Sequence, residues 1–328
     1  MMKKRVALVL ALCLLLLPLS GCARGEKQEK LTVVCTVFPL YEWTRAVVGE
    51  SENVDVILLV QNGTDLHSYQ PSAADIVRLR SCDLLVRLGG GADGWIEDAM
   101  KQAPTDGRSE LRLLELDSVC LREIAAESVA QEHEHEHAHG HDHEHDESCG
   151  VDEHFWLSLS NARAAVGAIA HALTELDGDH TDRYEENAMK YQAELTELDG
   201  RYREMIGQAE EPYAVFADRF PFVYLTEEYD IGYLAAFAGC GTDGDATVDT
   251  VIRLARALDE RGLDFVLVTE SSDKALAEGV IRASADRDRR IIVLDSLQSV
   301  TEEELEAGKT YLGAMESNLC VLREALLP

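Results

Sequence analysis

The chain has 328 residues, of which 46% are apolar, enough to fill one large core or two ordinary ones. Its 61 acidic residues against 30 basic ones leave a formal net charge of -31. That excess argues against a nucleic-acid partner, which needs a cationic footprint, and suits a solvated surface that draws in cations.

The first segment has the parts of an export signal. Lys3, Lys4 and Arg5 precede an unbroken apolar run from Val6 to Leu17, and small residues follow. The run is shorter than the roughly 20 residues that a spanning helix needs. Leu19-Ser20-Gly21-Cys22 resembles the bacterial lipobox. The expectation is a signal peptide over 1–21, lipidation of Cys22, and a polar tether over 22–30. The mature chain would then sit lipid-anchored on the extracytoplasmic face of the cell membrane, held by its acyl chains.

Beyond the tether, short β-branched apolar runs alternate with amphipathic stretches. The strand candidates are Leu31–Phe38, Val54–Val60, Leu84–Leu88, Tyr213–Ala217, Phe265–Thr269 and Ile291–Leu294. The helical stretches include Ala73–Leu79, Ala246–Leu258 and Lys274–Ala285. Such alternation predicts parallel βαβ units and an α/β fold. Between the two series lies Asp179–Gly207, polar and strandless, with Tyr184, Met189, Tyr191, Leu195 and Leu198 at helical spacing. It reads as one long helix (179–210) joining an N-terminal α/β lobe (31–178) to a C-terminal one (211–328). No internal repeat of fixed period appears.

The loudest chemical signal is an acidic, histidine-rich tract over 127–152. His133, His135, His137, His139, His141, His143 and His145 alternate with Glu, Asp, Ala and Gly. Imidazoles suit Zn, Cu and Ni, but equivalent ligands on a chain with nothing apolar to bury imply weak, multiple capture. The tract reads as an accessory collector. A defined site is expected elsewhere, on His67 after the second strand and His154 in Asp152-Glu-His-Phe-Trp-Leu157, both in loops where α/β folds put ligands. Three acids follow strands of the second lobe: Asp218, Glu270 and Asp295. Each alone is as readily a helix N-cap, whereas three at one end of a sheet suggest a ligand set. Glu227, further on, reads as solvated. Of eight cysteines, Cys13 belongs to the signal and Cys22 to the anchor. Cys35, Cys82, Cys120, Cys149, Cys240 and Cys320 contain no CxxC pair, and their pairing cannot be read from spacing.

Phe38-Pro-Leu-Tyr41, Gly63–Pro71, Asp152–Leu157, Tyr184–Ala188, Leu294-Asp-Ser-Leu297, Tyr311, Met315, Asn318-Leu319 and Leu322 together resemble the zinc and manganese solute-binding lipoproteins of ABC importers. The resemblance runs from about Leu31 to the C-terminus. It implies a metal cleft between the lobes, a rather rigid linking helix, an ABC permease as partner and a monomer. Its two N-lobe ligands fall on His67 and His154, and its last carboxylate on Asp295, with Glu270 as a second-tier candidate. The third ligand departs. The family usually has His or Glu ahead of a Phe-x-Tyr ending, and counting back from Phe222-Val-Tyr224 lands on Arg219, which cannot coordinate. Asp218 is the expected substitute, through a one-residue local insertion. Glu153 stands where the family usually has Pro.

The acidic histidine-rich tract just ahead of His154 looks like the zinc branch of that family, so zinc is the expected cargo, with manganese the alternative because a two-His, two-carboxylate set is harder than a three-His set. The expectation is a binding protein and no enzyme, since no HExxH or similar motif accompanies the ligands. A zinc-dependent hydrolase, a metal-stabilised surface adhesin, and a haem or siderophore carrier are the competing readings. Binding is expected to weaken below about pH 6, as protons compete for imidazole.

Overall fold

The computed structural model describes residues 30–102, 107–124, 150–239 and 246–327. The expectations for the signal segment, Cys22, the histidines from His133 to His145, Cys149 and Cys240 lie outside these residues.

The first lobe runs β1 (Leu31–Cys35), α1 (Phe38–Val48), β2 (Val54–Leu58), α2 (Ala73–Ser81), β3 (Leu84–Arg87), α3 (Trp95–Gln102) and β4 (Ser109–Arg112). Two helices follow, α4 (Leu159–Leu176) and α5 (Thr181–Ile206). The second lobe runs β5 (Tyr213–Phe216), α6 (Val223–Glu228), β6 (Gly232–Ala235), α7 (Val248–Arg261), β7 (Phe265–Thr269), α8 (Ala275–Ala283), β8 (Arg290–Leu294), α9 (Glu302–Glu306) and α10 (Tyr311–Leu326). Each lobe holds a four-stranded parallel sheet, ordered β2-β1-β3-β4 and β6-β5-β7-β8. The two orders are the same, so the lobes repeat a topology that no sequence period announces.

The expected strands appear, shortened by a residue or more where an apolar run continues into the loop. Two strands escaped the sequence reading, β4 (SELR) and β6 (GYLA), and both are sheet edges. An edge strand needs no continuous apolar run, because one flank of it remains open to solvent.

Period-two alternation sorts each central strand between two cores. Val33, Cys35, Leu84 and Val86 face the large core shared with α1, α4 and α5, while Val34 and Leu85 face a smaller one with Leu79 and Ile96. In the second sheet Phe216, Phe265 and Leu267 point into the large core, and Val215, Val266 and Val268 point under α7 and α8. Both lobes thus rest their inner sheet faces on one continuous apolar mass. Buried Cys35 follows from this, its thiol pushed up to about 12 by desolvation.

The long helix α5 spans 26 residues, about 39 Å at 1.5 Å per residue. Its buried positions include Tyr184, Ala188, Leu195, Leu198, Tyr202 and Met205, with Tyr191 half-buried. Met189, expected on that stripe, is 63% exposed; Ala188 takes its place because the stripe steps by four from Tyr184. The C-terminal helix α10 returns to the first lobe, where the Tyr311 ring lies 5.1 Å from that of Trp43. Tyr202 of α5 donates to the Met315 carbonyl at 2.6 Å. Among the described residues no helix is long and apolar enough to cross a membrane.

Candidate metal centre

The loop after β2 reverses at Asn62 and Gly63, both left-handed (φ 60° and 69°), a region that glycine enters without steric cost. The Gly63 N–H donates to the Val300 carbonyl of the second lobe at 3.0 Å. Asp65 then accepts the His67 N–H at 2.8 Å and starts a single 3-10 turn, Leu66–Ser68. Leu66 is buried under this turn, while His67 keeps an exposed edge.

His154 is held more tightly and is only 2% exposed. Asp152 Oδ1 accepts its backbone N–H at 2.9 Å and lies 2.8 Å from its Nδ1. A carboxylate at Nδ1 calls for the proton there, which makes Nε2 the lone-pair nitrogen. The Asp152 carbonyl in turn accepts the Tyr224 hydroxyl of α6 at 2.7 Å. Two residues on, Trp156 donates to the Ser296 carbonyl at 2.9 Å and its own carbonyl accepts from Tyr311 at 2.6 Å. The His154 segment is therefore stitched to the second lobe at three points.

These supports bring the two imidazoles together, with Nε2 to Nε2 at 3.4 Å. Two nitrogens bound about 2.0–2.1 Å from one zinc ion, a tetrahedral angle apart, stand ~3.4 Å from each other. The His67 pKa is lowered to about 4, mainly because protein packed around the ring disfavours its charged form and next because His154 is beside it. Its exposed edge does not undo that.

The carboxylates of the second lobe are differently placed. Asp218, at the end of β5, accepts the Thr269 N–H at 3.1 Å and the Thr269 hydroxyl at 2.6 Å, tying β5 to β7. Its other oxygen accepts the Arg219 N–H at 2.8 Å. Glu270 accepts the Ser296 N–H at 2.8 Å and hydroxyl at 2.7 Å; burial, and then Asp295 nearby, raise its pKa. Asp295 accepts the Leu297 N–H at 2.9 Å and pairs with Lys309 at 2.7 Å. Leu297 is itself left-handed (φ 57°) and fully buried, a strained conformation for a bulky residue. Among the described residues no three His, Cys, Asp or Glu side chains converge as a metal cage. The structure joins His67 to His154 and leaves Asp218, Glu270 and Asp295 engaged with groups of their own lobe.

Arg219 does not point to a metal role. Its guanidinium pairs with Asp65 across the lobes at 3.2 Å. Glu227, expected to be solvated, is 46% exposed and pairs with Arg122 at 2.7 Å. Glu153 accepts the Ala92 N–H with both oxygens, at 3.0 and 2.9 Å. A Cβ at Gly90 would lie 2.5 Å from that carboxylate, so the two positions depend on each other.

Residues 33–325 match the family described as ZnuA, zinc-uptake complex component A, periplasmic. The chain belongs to that family. Zinc-binding lipoprotein AdcA of Streptococcus pneumoniae (strain ATCC BAA-255 / R6) is 29% identical over 98% of this chain. This chain spans 61% of that relative's length. The high-affinity zinc uptake system protein ZnuA of Bacillus subtilis (strain 168) is 29% identical, over 97% of this chain and 96% of that one. The crystal structure of the Zn(II)-bound ZnuA-like domain of Streptococcus pneumoniae AdcA superposes with a TM-score of 0.69 at 25% identity, covering 90% of this chain and 99% of that domain. This ZnuA-family member has the α/β architecture the motifs implied, with two parallel-sheet lobes and a long helix.

Asp152, Asp65 and Lys309 escaped the sequence reading as parts of the site. A signal for the first two was present: Asp65-Leu-His67 and Asp152-Glu-His154 share an Asp-x-His spacing. Lys309 carries no such mark, because its contact with Asp295 depends on the loop that brings α10 beside β8.

Proposed function

We propose that this chain is an extracytoplasmic zinc-binding protein that captures the ion between its lobes and delivers it to the permease of an ABC importer. His67 and His154 supply two neutral imidazoles, and Asp218 and Asp295 supply carboxylates, with Glu270 in reserve. The observation carrying this reading is the 3.4 Å separation of the two Nε2 atoms, the spacing of two nitrogens on one tetrahedral ion. Asp152 behind His154 adds the carboxylate–histidine arrangement that orients metal-bound imidazoles. The carboxylates must release their present partners to join, so a modest tilt of one lobe or a local shift accompanies binding.

The names of the relatives favour zinc over manganese, and the tract from His133 to His145 favours the same ion as a collector that raises its concentration near the cleft. Cys22 serves as the lipid anchor, 22–30 as the tether, and the lobes divide at 31–178 and 211–328 about the helix 179–210. The chain works as a monomer and catalyses no reaction. Calorimetry with zinc on a His67→Ala, His154→Ala double variant tests the site: tight one-to-one binding is expected to disappear, leaving only weak uptake by the histidine tract. Undiminished tight binding would overturn the assignment.

A further inference from the structure

Lys309 occupies a confined position between α9 and α10. Its ammonium lies 2.7 Å from Asp295 Oδ2 and 3.0 Å from Glu304 Oε1, and 5.9 Å from the centre of the Phe38 ring. The side chain is 15% exposed, so a normally mobile stem is held in one place. The other Asp295 oxygen already accepts the Leu297 N–H. The oxygen free of the backbone is the one that the ammonium holds.

We infer that Lys309 is a built-in competitor of the metal for Asp295, and that it sets how tightly the cleft holds its ion and how fast the ion leaves. The inference rests on reading Asp295 as a ligand. A divalent ion on that oxygen and an ammonium beside it repel one another, so one must go. When the metal enters, Lys309 swings away on its flexible stem and keeps Glu304 as its partner. When the metal leaves, the ammonium returns and neutralises Asp295, which otherwise stands as a carboxylate beside the buried Glu270. A delivery protein gains from such a device, because an ion held too firmly is not passed on.

The test uses the full chain, zinc, and a competing chelator at neutral pH, read as both affinity and release rate. Lys309→Met is expected to bind zinc roughly tenfold tighter, equivalent to ~1.4 kcal/mol, and to release it correspondingly more slowly. Lys309→Arg keeps the charge and stays near the parent value. Lys101→Met removes a remote exposed ammonium and leaves binding unchanged. Glu304→Gln preserves the capping box of α9, since an amide oxygen can accept there as well. It deprives the displaced ammonium of its second partner, so zinc should bind a few-fold more weakly. Asp295→Asn weakens binding, and Lys309→Met added to it brings no further gain.

Equal or weaker binding by Lys309→Met overturns the inference, as does the same gain in the Asp295→Asn background. Asp295→Asn binding as tightly as the parent overturns the ligand reading itself, a separate outcome. Thermal melting of the metal-free variants checks folding. If Lys309→Met does not fold, Glu304→Gln decides the matter alone, and unchanged binding by it counts against the inference.

Discussion

The two sides of the cleft solve the same problem in opposite ways. The first lobe presents a pair of imidazoles whose Nε2 atoms already face each other at 3.4 Å. The second lobe presents carboxylates whose oxygens are taken, Asp218 by Thr269 and Arg219, Glu270 by Ser296, and Asp295 by Leu297 and Lys309. The difference follows from the chemistry of the groups. Neutral imidazoles can stand together at little cost, whereas neighbouring carboxylates in a partly buried site repel and must be compensated by donors or a cation. On the proposed reading one side is arranged in advance, and the other exchanges partners when the ion binds.

Disturbing the prearranged side should have the largest effect. Asp152→Asn leaves an acceptor for the His154 backbone N–H but removes the charge that holds the proton on Nδ1. Zinc affinity is expected to fall between about ten- and a hundredfold, the range for lost outer partners of a ligating histidine. A chelator competition would show it. Asp65→Asn is the internal comparison, because the Asp65 carboxylate accepts the backbone N–H of His67 and pairs with Arg219, whereas that of Asp152 also lies against the ring Nδ1 of His154. A loss as large as that of Asp152→Asn would mean that the two Asp-x-His units do not differ as their geometry implies.

The same contrast separates what could be read in the sequence from what could not. The α/β class, the strand runs and the long helix follow from local periodicity, which the cores of both sheets enforce residue by residue. Val33 and Val34 go to opposite cores simply because they are adjacent in a strand. Edge strands β4 and β6 lack that signal. His67 and His154 stood out because each lies in a loop segment of distinctive sequence. The partners of the acids did not, since Thr269 for Asp218, Ser296 for Glu270 and Lys309 for Asp295 come from the neighbouring strand or from loops distant in sequence, which local pattern does not encode. Arg219, which strict counting puts in the third ligand position, instead finds Asp65 across the cleft.

A second comparison acts within the carboxylate side. Asp218→Asn and Asp295→Asn each remove one charge, yet their present duties differ. Asp295→Asn is expected to weaken zinc binding about tenfold, or ~1.4 kcal/mol. Asp218→Asn should also lower metal-free stability by ~1 kcal/mol, because it disturbs the two Thr269 bonds that join β5 to β7. Calorimetric melting of both variants without metal distinguishes them. If Asp218→Asn changes neither melting nor affinity, it is neither a ligand nor a support, and the third position must be sought elsewhere.

The smallest effect concerns the proton. An isolated imidazole titrates near ~6.5, and on that basis alone binding would weaken below about pH 6. The pKa of His67 is lowered to about 4, first by desolvation and then by His154. With that lowered value His67 is expected to stay neutral below pH 6, so proton competition at this ring is expected at a lower pH than for a free imidazole. The sign for folding follows. The unfolded chain takes up the His67 proton near ~6.5 and the folded chain only near 4, so this group's contribution is complete above the unfolded value and is lost as pH falls through that window. Ring-proton NMR on chelator-treated protein should give a His67 midpoint of about 4. In His154→Ala the neighbouring imidazole is gone, and the midpoint should move upward toward the free value without reaching it, because the desolvation remains. A midpoint already at the free value in the parent protein would mean that the His67 ring is not packed as the pairing requires.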